Sequence, residues 1–141
     1  MMSRCKIFTI LIVILLLSLS LIGCSKVQIT LPNEADLESI VLSESTQENN
    51  KHITITDSEE IKNIINSIKS NFNKTNKESI NDIPTNVDYF IKLEFSHSKG
   101  GSSVAYVYKT KDRYYIEQPY NGIWEITQES YENIDMLSKT K

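Results

Sequence analysis

Apolar positions are distributed very unevenly along the chain. Ile7 to Ile22 forms an almost unbroken apolar run, and from Val27 onward the pattern changes to short alternations and one helical stripe. Val27 to Leu31 alternates as a short strand that ends at Pro32. In Asp36 to Ser43, Leu37, Ile40 and Val41 fit a helical face, while the β-branched pair Ile40-Val41 fits a strand, the reading favoured here. Ser43 to Lys51 is polar throughout and reads as a solvated loop. His52 to Thr56 predicts a strand carrying Ile53 and Ile55. Asp57 then suits a helix N-cap, with Glu60 three residues on and Glu59 and Glu60 at the positive end of the helix dipole. Ile61, Ile64, Ile65, Ile68 and Phe72 follow at helical spacing. Burying such side chains contributes about 1.5–3 kcal/mol each before entropic costs, so this helix is expected to lie on a sheet.

Asn71 to Asn86 predicts a long connection with Ile80 and Ile83 as apolar anchors and Pro84 as a stop. Beyond it, Tyr89, Ile91, Leu93 and Phe95 alternate with Asp88, Lys92 and Glu94. Turns at Lys99 to Ser102, at Thr110 to Asp112 and at Pro119-Tyr120-Asn121-Gly122 separate further strands at Val104 to Lys109, Arg113 to Gln118 and Ile123 to Thr127. Asn-Gly supplies the positive φ that tight hairpins need. These four strands make an antiparallel meander. A closing helix, capped by Thr127 or Ser130, would pack through Tyr131, Ile134 and Leu137. The fold class is therefore α+β: an antiparallel sheet, its C-terminal part a four-stranded meander, with two helices packed on one face.

The N-terminal run alters this picture of a soluble domain. Arg4 and Lys6 precede it, and Leu21-Ile22-Gly23-Cys24 ends it, in the arrangement of a basic n-region, an apolar h-region and a small-residue cleavage site. The run is short of the roughly 20 apolar residues that a bilayer-spanning helix needs. Leu-x-Gly followed by Cys resembles a bacterial lipobox, which implies a diacylglyceryl group on Cys24 and cleavage before it. Two acyl chains suffice for stable anchoring where one does not. The expected organisation is a signal peptide at 1–23, a lipidated tether at 24–26, and one extracytoplasmic domain at 27–141, held on the outer side of the cell membrane. Cys5 leaves with the leader, so the exported part has no disulfide. Loss of Arg4 and Lys6 leaves 13 basic against 18 acidic residues, a net charge of −5. That sign disfavours nucleic acid as a partner and gives no attraction to anionic headgroups.

Candidate chemistry is sparse. His52 and His97 lack nearby ligands, so neither a metal nor another cofactor is expected. Gly100-Gly101-Ser102-Ser103 is not a nucleophile elbow, and the Asn73-Lys74-Thr75 sequon is out of place behind a bacterial lipobox. Glu94, Glu117 and Glu125 fall by alternation on the sheet face away from the helix, where paired carboxylates could serve glycan hydrolysis or simply pair with Lys92, Lys109 or Arg113. Aromatics are concentrated in the same strands: Tyr106, Tyr108, Tyr114, Tyr115, Tyr120 and Trp124. Alternation sends Tyr114, Ile116, Trp124 and Ile126 towards the helix and leaves Tyr115 and Ile123 on the far face near Phe90. An open face of this kind can bind a sugar ring or a protein. The candidate binding face is accordingly Phe90, Tyr115, Glu117, Tyr120, Ile123 and Glu125.

Three stretches carry a family resemblance: Ile55-Thr56-Asp57-Ser58-Glu59-Glu60-Ile61, the segment from Asn76-Lys77-Glu78-Ser79-Ile80 to Pro84, and Tyr114-Tyr115-Ile116-Glu117-Gln118-Pro119-Tyr120-Asn121-Gly122-Ile123. They resemble small Gram-positive lipoproteins that carry a domain of unknown function. The resemblance implies the location and the single domain, and no activity. The expectation is a lipid-anchored binding module without catalysis, whose partner besides the membrane is an extracytoplasmic protein or cell-wall glycan. The alternatives are a glycan-acting enzyme that uses the sheet-face carboxylates and an inhibitor or immunity-like surface protein.

Overall fold

The computed structural model describes residues 29–46 and 52–140. The leader, the lipobox with Cys24 and most of the predicted 43–51 loop lie outside these residues. Among the described residues, seven strands form one sheet in the order β2-β1-β4-β5-β6-β7-β3. The strands are β1 (Leu37–Glu44), β2 (His52–Ile55), β3 (Phe72–Lys74), β4 (Phe90–His97), β5 (Ser102–Thr110), β6 (Arg113–Gln118) and β7 (Gly122–Ile126). Every pairing is antiparallel. Two helices, α1 (Ser58–Ser70) and α2 (Gln128–Lys139), pack together against one face. The α+β class is as expected, and β4 to β7 are the predicted meander. The sheet extends beyond those four strands on both sides, through β1 and β2 at one edge and β3 at the other.

Local chemistry explains the boundaries. The Asp57 side chain accepts from the Glu60 amide at 2.9 Å, and Thr127 caps α2 through the Ser130 amide at 3.2 Å. Ile61, Ile64, Ile65 and Ile68 are all buried on the inner face of α1. They meet Ile40 and Leu42 of β1, Leu93 and Phe95 of β4, Ile116 of β6, Trp124 of β7 and Ile134 of α2 in one core.

Four expectations are corrected. Phe72 does not continue the α1 stripe; the helix ends at Asn71, in non-helical backbone, and Phe72 opens β3 opposite Ile126 while still packing on the same core. The period matched because strand and helix deliver their side chains to one core. The connection predicted from Asn71 therefore begins with a strand. Residues 29–31 form no strand: Ile29 and Leu31 are buried, but Thr30 bonds to the Gln118 amide side chain, which gives to its carbonyl at 2.9 Å and takes from its N–H at 3.2 Å. That side chain supplies the pair of bonds a strand neighbour would have made. Finally, at the β6–β7 turn the left-handed residue is Tyr120, with φ of 60°, and not Asn121. Gly122 does hold a positive φ, 157°, and a Cβ there would also come 3.1 Å from the Trp124 ring.

Candidate functional site

Strand alternation decides which side chains reach the face opposite the helices. Tyr115 lies between Tyr108 of β5 and Glu125 of β7, while Glu117 lies between Tyr106 and Ile123. Tyr108, Tyr115 and Ile123 pack into a second, smaller apolar cluster with Phe90 and Val87 at its margin. Phe90 meets Tyr106 edge-on with centroids 5.2 Å apart, and Tyr108 and Tyr115 are tilted at 5.7 Å.

This face is covered rather than open. Residues 75–89, a strap between β3 and β4, cross it and bury Tyr115, Glu117 and Ile123. The strap starts where the Thr75 amide and hydroxyl both donate to the Ile123 carbonyl, at 3.0 and 2.8 Å. Its centre is fixed by Ser79, which is itself buried and donates to Glu117 Oε1 at 2.7 Å. Tyr108 donates to the other carboxylate oxygen at 3.0 Å. Burial, followed by the charge of Glu117 alongside, pushes the Tyr108 phenol above its ordinary range. Lys77 places its ammonium 4.8 Å from the centroid of the Tyr115 ring. The predicted apolar anchors do not serve: Ile80 is 69% and Ile83 is 53% exposed. The hydrogen bond from Ser79, together with buried Pro84 and half-buried Val87, holds the strap in their place.

The remaining candidates are dispersed. Phe90 is half-buried at the end of β4. Glu125 pairs with Arg113 at 3.1 Å on the surface, and Glu94 pairs with Lys92 at 2.7 Å. An acid–base pair would need two carboxylates free to face one substrate, whereas Glu94, Glu117 and Glu125 each engage different partners. Tyr120 is 68% exposed and reaches across to the strap, donating to Asp82 at 3.0 Å; that hydrogen bond raises its phenol.

Between strap and turn lies an open groove of about 710 Å³, lined by Lys74 to Ile80 and by Tyr120, Asn121 and Gly122. A second space of about 430 Å³ lies against the strap, bounded by Lys77, Tyr108, Glu117 and Ile123 among others. Ser79, Lys77, Asp82 and Tyr108 were not singled out as site residues from sequence. Tyr108 shares the parity of Tyr106 and was accessible in principle. Ser79 carries no local signal, because its partner is 38 residues away. His97 bonds to Ser103 at 3.0 Å, and no group of three or more potential metal ligands occurs among the described residues. No helix among them is long and apolar enough to cross a membrane.

The fold and site define a small α+β domain with one sheet face packed by helices and the other strapped by its own chain. The chain belongs to the family DUF5301, described as a domain of unknown function (DUF5300), which matches residues 25–125. No curated protein matches it. Among solved structures, a thioesterase-like protein from Clostridium sporogenes is similar at 16% identity and a TM-score of 0.46, over 76% of this chain and 98% of its own. That description belongs to the other protein, and so distant a likeness transfers no chemistry.

Proposed function

We propose that the chain is a lipid-anchored, extracytoplasmic binding module that meets its ligand at the groove between the strap and the β6–β7 turn. The observation that carries this reading is the groove itself. It is concave, it joins lysine, amide and hydroxyl groups to the exposed ring of Tyr120, and its far wall is held by the buried Glu117–Ser79 bond. A few convergent polar groups beside an apolar surface are what a ligand site requires. Tyr120 also holds a left-handed backbone that a non-glycine residue adopts at a cost of about 1–2 kcal/mol, the kind of local strain that collects at functional turns. The location rests on Leu21-Ile22-Gly23-Cys24.

Two measurements on intact cells test the reading. Cys24→Ala should abolish acylation and release or misprocess the chain; unchanged lipid-dependent retention would refute the anchor. A photo-crosslinking residue at exposed Asn76, in the groove, should capture a neighbour that the same residue at Asp112, in the β5–β6 turn, does not. Equal capture from both positions, or none from Asn76, would sink the groove as the binding surface.

A further inference from the structure

Four large apolar side chains stand exposed among the described residues: Ile80, Ile83, Tyr120 and Met136. Met136 lies on α2, on the helix side of the sheet. The other three gather at one corner, because the Tyr120–Asp82 hydrogen bond ties the β6–β7 turn to the strap between Ile80 and Ile83. Exposed apolar groups that cluster in this way on a small domain mark a surface that meets something apolar.

The path of the chain says what that is. Thr30 is pinned to the same corner. Gln118 bonds to its backbone at both ends, and the Asn121 side chain reaches its hydroxyl at 3.4 Å. Cys24 precedes Thr30 by six residues. Whatever its conformation, such a stretch spans at most about 22 Å, at 3.3–3.6 Å per residue. The nine residues of β5 alone run about 30 Å. The tether is thus too short for the domain to stand upright on the opposite end of the sheet, at Lys111 and Asp112, since that would lift Thr30 a full strand length off the bilayer that holds the acyl chains. It keeps the Tyr120 corner within a tether length of that surface.

Resting on the lipid-anchor reading above, we propose that the ligand of this groove is the surface of that same bilayer. Ile80, Ile83 and Tyr120 enter the boundary between headgroups and acyl chains, and Lys74 and Lys77 meet lipid phosphates. Tyrosine suits this position, with an apolar ring to bury and a hydroxyl that stays wet. The groove carries Lys74 and Lys77 beside Glu78 and Asp82 at its rim, a mixed charge that fits a layer of phosphates and ammonium groups. Overall acidity, at −5 after loss of Arg4 and Lys6 from the 15 basic and 18 acidic residues, keeps the rest of the domain off the surface. The anchor then supplies retention, and the corner fixes orientation.

The test uses the full chain, acylated in the cells that make it and reconstituted in vesicles of phosphatidylethanolamine and phosphatidylglycerol. With Cys24 acylated and Cys5 removed with the leader, a cysteine introduced as Asn81→Cys or Asp112→Cys is the only labelling site; both positions are exposed. A fluorophore on the strap should be quenched by bromine-bearing acyl chains at least about three-fold more strongly than one at the far turn. Replacing Ile80, Ile83 and Tyr120 together by Ser should erase that difference while membrane retention persists; all three are exposed, so the core is untouched. Equal quenching at the two sites of an acylated chain overturns the docking alone. So does a strap probe that responds to soluble cell-wall glycan or to an added protein but not to vesicles. A chain whose mass shows no acyl groups overturns the anchor, and the docking with it.

Discussion

Glu117 is the residue on which the strapped face depends. A carboxylate only 6% exposed must have its oxygens satisfied within the protein, and here one takes the Ser79 hydroxyl and the other the Tyr108 phenol. Both donors are buried as well, so removing the acceptor leaves two unsatisfied hydroxyls. Glu117→Ala should destabilise the domain by about 2–4 kcal/mol, as expected when buried polar groups lose their partner. Glu117→Gln keeps one oxygen acceptor, and either hydroxyl can rotate to accept from its amide, so its loss should be smaller, about 1 kcal/mol. Urea denaturation of the two variants distinguishes the cases, and equal losses would mean that Glu117 acts by volume rather than by hydrogen bonding. Strand alternation alone places the residue on this face of the sheet. Its role is not legible in the sequence, because the parity of β6 says nothing about what lies above it.

At the scale of elements, legibility follows the range of the interactions that order each one. Helix α1 is ordered locally by the Asp57 cap, the acidic first turn and four isoleucines on one stripe, all visible along the chain. Strands β4 to β7 are fixed by alternation and by turns within a few residues. The strap is ordered by Ser79 on Glu117, Tyr120 on Asp82 and Lys77 over Tyr115, pairs separated by 38 residues each. No periodicity announces such contacts, and apolar content misdirects, since Ile80 and Ile83 point outward. The same holds for Thr30, which a side-chain amide from 88 residues away holds in place of a strand. Local ordering also makes a sharp prediction. Asp57→Ala should cost about 1 kcal/mol, and Asp57→Asn, which caps equally well, should restore most of it. A drop in the denaturation midpoint at constant slope would locate the effect in native stability; no rescue by Asn would show that the charge, and not the cap, carries it.

For the molecule as a whole, the seven antiparallel strands among the described residues leave two faces that are buried by different means, and the means set the response to pH. The centre of the helix face is closed by apolar side chains with no titratable group among them, while at its rim the Tyr131 phenol is raised by burial and by the nearby Asp135. The strapped face and the β1–α2 contact bury phenols beside carboxylates: Tyr108 next to Glu117, and Tyr89, half-buried, close to Glu44 and Asp135. In each, burial is the main cause and the adjacent carboxylates a further one, and both raise the phenol above its ordinary value of 10.0. A phenol whose folded value is raised favours the fold while it stays protonated. Its contribution is complete below the unfolded value near 10 and is lost as pH rises from there towards the folded value. Stability should therefore show no tyrosine-dependent loss through neutral pH and should fall above about pH 10, by up to roughly 1.4 kcal/mol per pH unit for each buried phenol that the unfolded chain ionises. Tyr108→Phe separates this from the titration of lysines in the same range. At about pH 8 the variant should be less stable by about 1 kcal/mol, having lost the bond to Glu117. Above about pH 10 its stability should fall less steeply than that of the wild type, so that the two curves converge. Parallel curves, measured by urea denaturation at each pH, would mean that the Tyr108 phenol ionises as readily in the folded domain as in the unfolded chain and that the strap leaves it open to solvent.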